Sequence, residues 1–171
     1  YYGDFGYFTR FSESWRDYFS IPYVWTTRAK GIGIYDPSVS SVPLSIIIGF
    51  LSHFVTSSTK LIRFVVLIPM ALLPPLTSFF LIKHLFKSNF SAFIGTLVYS
   101  YNVYILTSQI GSHAPINIAY GLAPLALLFY VKLFEQQRMR WLLGTSIVLL
   151  LITFVEVRIF YVVFWILQLY F

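Results

Sequence analysis

From residue 61 onward the chain is a succession of apolar runs: LIRFVVLIPMALLPPLTSFFLI (61–82), FSAFIGTLVYSYNVYILTSQI (90–110), INIAYGLAPLALLFYVKLF (116–134), WLLGTSIVLLLITFV (141–155) and IFYVVFWILQLYF from 159. A helix that crosses the hydrocarbon core of a bilayer needs roughly 20 consecutive apolar residues, and these runs approach that length with short polar connections between them. Only 11% of the residues are charged, against about 25% in an average soluble domain. That leaves too little polar sequence to wrap such runs in water. The expected fold is all-α: a polytopic transmembrane helix bundle over 61–171 with four or five spans, the last one truncated. Residues 1–60 are expected to form an extracytoplasmic loop carrying short interfacial helices. With no initiator Met and no polar flank after the last run, the chain is expected to be a fragment cut at both ends.

The first forty residues differ in character, holding four of the six acids and two of the four Trp. Phe8, Phe11, Trp15 and Phe19 recur at helical spacing, with Arg10, Glu13, Arg16 and Asp17 off that stripe, which predicts a short helix lying on the membrane surface. The run 42–55 is shorter than a comfortable span and is taken as interfacial, although a short crossing is the alternative. Basic residues in short loops set orientation. Lys83 and Lys87 lie between the first two clear spans, and Lys132, Arg138 and Arg140 between the third and fourth, so both connections are expected on the cytoplasmic side. By alternation Asp4, His113, Glu156 and Arg158 share the opposite face. Proline residues 69, 74, 75 and 124 predict bent helices whose freed carbonyls are served by neighbours.

The net charge of +6 comes from basic residues standing singly at the ends of apolar runs, the pattern of a topology signal and not of a nucleic-acid groove. With no cysteine, disulfides, thiolate chemistry and Cys-ligated metals are excluded. The P-loop, GxSxG and HExxH patterns are absent as well.

Few ionisable groups remain for chemistry. Asp4 sits between glycines in GDFG, where it either acts as a general base or oxygen ligand of a divalent cation, or closes an Asx-turn. Asp36, in IYDPS, has the pattern of a turn initiator, and Glu13 and Asp17 that of a solvated helix face. His113, before a proline suited to a helix start, either meets a phosphate or is a polar turn residue. His53 and His84 are taken as interfacial. Glu156 and Arg158 interrupt about thirty apolar residues, at a depth where charge is costly unless paired or hydrated. An i, i+2 pair shares no helical face, so a turn or a broken helix is expected there, with Arg158 able to reach an anionic head group.

The order of these elements resembles the polytopic glycosyltransferases of the GT-C superfamily. The elements are GD at the head of a long loop, WTTRAKGIG (25–33), PLSIIIGFLSHF, a span, LVYSYNVYIL, the turn GSHAP and AYGLAPLALLFY. The resemblance runs from about residue 3 to 134. It is nearest to the prokaryotic branch of lipoteichoic-acid-glycosylating membrane proteins and large arabinofuranosyltransferases. It implies an integral, multi-pass enzyme of a prokaryotic plasma membrane, moving a sugar from a polyprenyl-phosphate donor to a cell-envelope glycan or glycolipid acceptor. It also implies that Asp4 is the essential acid; Arg158, beside Glu156 and together with His113, is expected from its charge at membrane depth to neutralise the departing donor phosphate. The family often has Tyr-x-x-Asn-Pro where this chain has Tyr99 to Val103, and the missing proline should leave that helix straight. The family's His commonly follows Gly directly, whereas Ser112 intervenes here. Two other readings stay open: a transporter or flippase for a lipid-linked or amphipathic substrate, and a non-catalytic membrane scaffold.

Overall fold

In a computed structural model of the chain, the residues described are 25–26, 34–35, 67–110 and 113–170. The predicted surface helix, the run 42–55, and Asp4, Asp36 and His53 lie outside them. The first described element is a two-residue antiparallel pairing of β1 (Trp25–Thr26) with β2 (Ile34–Tyr35), in the register Trp25 to Tyr35 and Thr26 to Ile34. It closes the WTTRAKGIG stretch, for which no strand was expected. The rest is helical: α1 Ile68–Phe86, α2 Asn89–Ser100, α3 Val103–Ile110, α4 Ala114–Gln136, α5 Met139–Val155 and α6 Val157–Leu169.

Proline opens both long helices. Pro69 and Pro115 stand in the first turns of α1 and α4, where the missing N–H has no helical partner to lose. Two alike corners end them. Lys87 closes α1 at φ 53° and Gln137 closes α4 at φ 46°, both left-handed, and each is followed by one extended residue, Ser88 or Arg138, just before the next helix. A left-handed non-glycine residue costs about 1–2 kcal/mol. Gln137→Gly is therefore expected to stabilise the purified protein in detergent by about 0.5–1 kcal/mol, after the entropy glycine adds to the unfolded chain. A lower thermal midpoint in the variant would contradict this.

The helices pack with α1 between α2 and α4, and α4 between α1 and α5. Helix α6 lies against α4 and α5, and α3 against α4. The main apolar cluster joins Ala119, Leu122 and Ala126 of α4 to Val148 and Ile152 of α5 and Val163 of α6. Elsewhere the usual distribution is reversed. The buried residues of α1 are Pro74, Thr77 and Ser78, and those of α2 are Ala92, Thr96 and Ser100, one per turn. Meanwhile Leu72, Leu76 and Phe80 of α1 and Phe90, Phe93 and Val98 of α2 are exposed. In water this would expose a large apolar face and bury hydroxyls. In hydrocarbon, small and hydroxyl-bearing residues are what bring helices together.

Among the described residues, two helices are long and apolar enough to cross a membrane, Ile68–Phe86 and Pro115–Gln136; Met139–Val155 and Val157–Leu169 are shorter apolar helices. The first apolar run was expected to end at residue 82, but α1 continues to Phe86, so Lys83 lies in its last turn and not in a loop. Lys132 likewise lies within α4, and Arg138 and Arg140 at the start of α5. Long basic side chains allow this, since their stems follow apolar surface while the head reaches water.

Run 90–110 departs further from expectation, because it is two helices broken at Tyr101 and Asn102. The missing proline does not straighten it. Asn102 Oδ1 accepts the Ile105 N–H at 3.1 Å, starting α3, and Asn102 Nδ2 donates to the Tyr99 carbonyl at 2.7 Å, closing α2. A capping asparagine ends a helix without proline because it offers the backbone other partners.

Candidate functional site

Pro124, inside α4, has no N–H to give the carbonyl of Tyr120 one turn earlier. In an apolar setting such a carbonyl must find another donor. The Tyr99 hydroxyl of α2 provides it, donating to the Tyr120 carbonyl at 2.8 Å. The next carbonyl along, that of Gly121, lies 2.6 Å from the Thr77 hydroxyl of α1, which is also 2.7 Å from its own Leu73 carbonyl. One proton thus serves two acceptors.

The Tyr99 and Tyr120 rings stack at 4.3 Å and 17°, and the Tyr120 hydroxyl donates back to the Tyr99 carbonyl at 3.2 Å. Asn102 Nδ2 also donates to the Tyr120 hydroxyl at 2.9 Å. The break between α2 and α3 and the proline kink of α4 are therefore one linked polar centre. Close approach makes it possible. A Cβ on Gly121 would stand 2.8 Å from Leu73 Cβ, 2.9 Å from Pro74 Cδ and 3.0 Å from the Pro74 nitrogen, so α1 and α4 touch backbone to backbone.

A second polar centre lies at the α3–α4 turn. Asn117 is fully buried. Its Oδ1 accepts the Ser108 hydroxyl at 2.6 Å and its Nδ2 donates to the His113 carbonyl at 3.1 Å, while the His113 N–H donates to the Ser108 carbonyl at 2.9 Å. His113 itself is exposed at the start of α4. Asn117 fixes the backbone that presents it.

The third centre is the single extended residue between α5 and α6. Glu156, at φ −158°, caps α6, and its carboxylate takes the Arg158 guanidinium two-pronged, Nε to Oε1 at 2.7 Å and a terminal nitrogen to Oε2 at 2.9 Å. The carboxylate side is 12% exposed and the guanidinium side 74%. The structure has a break between two helices at Glu156, and the two charges pair across it.

Chain direction relates these centres. Helices α4 and α5 are joined by a two-residue corner, and Phe129 packs on Trp141 and against Gly144. At about 1.5 Å per residue, Glu156 then falls roughly level with Asn117, about one turn inside His113. His113, Glu156 and Arg158 are therefore at one end of the helix group. Lys83 and Arg138 are at the other, where His84 Nε2 and Glu135 Oε2 meet at 2.8 Å across α1 and α4. Asp4 lies outside the described residues, so no distance relates it to the others. Among the described residues, no three of His, Asp and Glu come together to hold a metal ion.

Sequence reading missed Tyr99, Asn102, Asn117, Tyr120 and Thr77. The signal was available in part: a proline inside an apolar run announces an orphan carbonyl four residues earlier, and a neighbouring run with Tyr and Asn near its middle can supply donors. Comparison with protein-family models, with curated proteins and with solved structures finds no match to this chain.

Proposed function

We propose that the chain is the first loop and adjoining spans of a multi-pass membrane glycosyltransferase of the GT-C kind, acting on a polyprenyl-phosphate sugar donor. The observation that supports this reading is the meeting of LVYSYNVYIL with AYGLAPLALLFY, two of the stretches on which the resemblance rests. They are joined through Tyr99, Asn102 and Tyr120 around Pro124. In this reading α1, α2 with α3, α4 and α5 cross the bilayer in turn, α6 begins a further crossing, and the corners at Lys87 and Gln137 face the cytoplasm.

The acceptor hydroxyl attacks the sugar's anomeric carbon, whose bond to the donor phosphate oxygen breaks, and the lipid phosphate departs with the electron pair. Asp4 takes the acceptor proton. His113 and Arg158, at the extracytoplasmic end, face the departing phosphate, where a fixed cation in a poorly hydrated cleft acts more strongly than in water. Glu156 partly cancels the field of Arg158 in the present pairing, so phosphate binding must draw the guanidinium from that carboxylate. No step is assigned to a metal ion.

The test is Asp4→Ala in the full chain, assayed in membranes with labelled polyprenyl-phosphate sugar and with expression matched to wild type. Transfer is expected to fall by about 10²-fold or more, the usual contribution of a general base. Unchanged transfer would return Asp4 to a turn residue. The second reading, a carrier for a lipid-linked substrate, draws on the α2–α3 discontinuity, since broken spans commonly line transporter sites. It takes precedence if well-expressed wild-type protein transfers nothing yet moves the labelled lipid across reconstituted vesicles.

A further inference from the structure

The end of the helix group opposite His113 carries five basic side chains, Lys83, Lys87, Lys132, Arg138 and Arg140. Among the described residues the one acid there is Glu135, which is bound to His84. Three of the basic groups gather at the corner between α4 and α5. Lys132 Nζ and the Arg140 guanidinium carbon each lie 4.8 Å from the centre of the Trp141 ring, so the two charges are within about 10 Å of each other. The Trp141 N–H is held by Gln136 Oε1 at 2.9 Å, which fixes the ring that both cations share. Arg138 is the extended residue of the connecting corner just before α5, its side chain making no capping hydrogen bond.

Two cations on one ring repel each other, and the ring's negative face offsets that only in part. An anion at the corner would relieve it. The ring is indole, the side chain that settles at the head-group level of a bilayer, and the adjoining α5 surface of Leu142 and Leu143 is exposed and apolar. A ligand that suits both halves has a phosphate head and acyl chains.

We infer that the α4–α5 corner binds the phosphate of an anionic phospholipid between Lys132, Arg138 and Arg140, with its acyl chains along the exposed face of α5. The inference rests on the membrane-spanning reading of the chain and is independent of the transfer chemistry. It differs from a general attraction to a charged surface in naming one corner and one ring.

The test uses the full chain with Trp141 as its one tryptophan (Trp15, Trp25 and Trp165→Phe), reconstituted in phosphatidylcholine vesicles containing phosphatidylglycerol. Either the phosphatidylglycerol or an equal amount of phosphatidylcholine is brominated on its acyl chains. Brominated phosphatidylglycerol is expected to quench Trp141 more strongly than brominated phosphatidylcholine, reflecting a local enrichment of about fivefold for each engaged cation at low salt. Lys132→Gln with Arg140→Gln should abolish the excess, while Lys132→Arg with Arg140→Lys should retain it. Inorganic phosphate at millimolar concentration should not displace the lipid. Equal quenching by the two lipids, or an excess that survives the double glutamine variant at unchanged helix content, would overturn the inference. Displacement by free phosphate would overturn the lipid as the occupant. Absence of quenching by either lipid would overturn it together with the membrane reading, whereas failure of sugar transfer alone would leave it standing.

Discussion

Gly121→Val should separate α1 from α4 and cost the folded protein about 2–3 kcal/mol or more, the upper part of the range for overpacked sites. A new Cβ would lie 2.8–3.0 Å from Leu73 Cβ, Pro74 Cδ and the Pro74 nitrogen, two of which belong to a proline ring in a helix backbone. No rotamer change can make room. The helices must move apart, and with them the Thr77 hydroxyl would leave the Gly121 carbonyl, now 2.6 Å away. Gly144→Ala is the control. Its Cβ would meet the Phe129 ring at 2.8 Å, and a ring edge can shift, so about 1 kcal/mol or less is expected. Denaturation in mixed micelles followed by helix content would compare the two. Equal effects would mean that the α1–α4 contact is not the tight one.

Tyr99→Phe is expected to destabilise by about 1 kcal/mol, near the upper range for single hydrogen bonds between helices in membranes. The hydroxyl removed is the donor to the Tyr120 carbonyl, which Pro124 leaves without its helical partner. The informative experiment is the cycle with Pro124→Ala. Alanine restores an N–H at 124, α4 can satisfy the Tyr120 carbonyl itself, and Tyr99→Phe should then cost only a few tenths of a kcal/mol. Such non-additivity is the signature of two residues serving one group. Additive losses would mean that the Tyr99 hydroxyl answers to something other than the proline.

The apolar runs 61–82, 116–134, 141–155 and from 159 anticipated, with other bounds, the helices found over 68–86, 114–136, 139–155 and 157–169, because run length and terminal prolines are local properties. The break at Glu156 was legible too, since a carboxylate and a guanidinium two residues apart cannot share one face of a continuous helix. Asn102 was harder. Its effect depends on whether its side chain turns back to cap α3, and a resemblance that located the bend in a proline pointed the other way. The polar centre around Tyr99, Asn102 and Tyr120 joins residues some twenty positions apart, so no window on one run contains it. Asn117 reads as an ordinary polar residue near a span end until Ser108 and the His113 carbonyl are beside it. For Asp4, sequence and resemblance remain the whole basis of its assignment.

The central claim is that these helices lie in a bilayer with His113 and Arg158 at one face and the Lys87 and Arg138 corners at the other. The chain has no cysteine, so single-cysteine variants can be made in its own background. Lys87→Cys, Arg138→Cys, His113→Cys and Arg158→Cys would each be labelled with a membrane-impermeant maleimide in sealed right-side-out and inverted vesicles. The expected result is labelling of positions 87 and 138 from one side only and of 113 and 158 from the other side only. Labelling of positions 87 and 113 from the same side, or of all four equally in both preparations, would contradict the account.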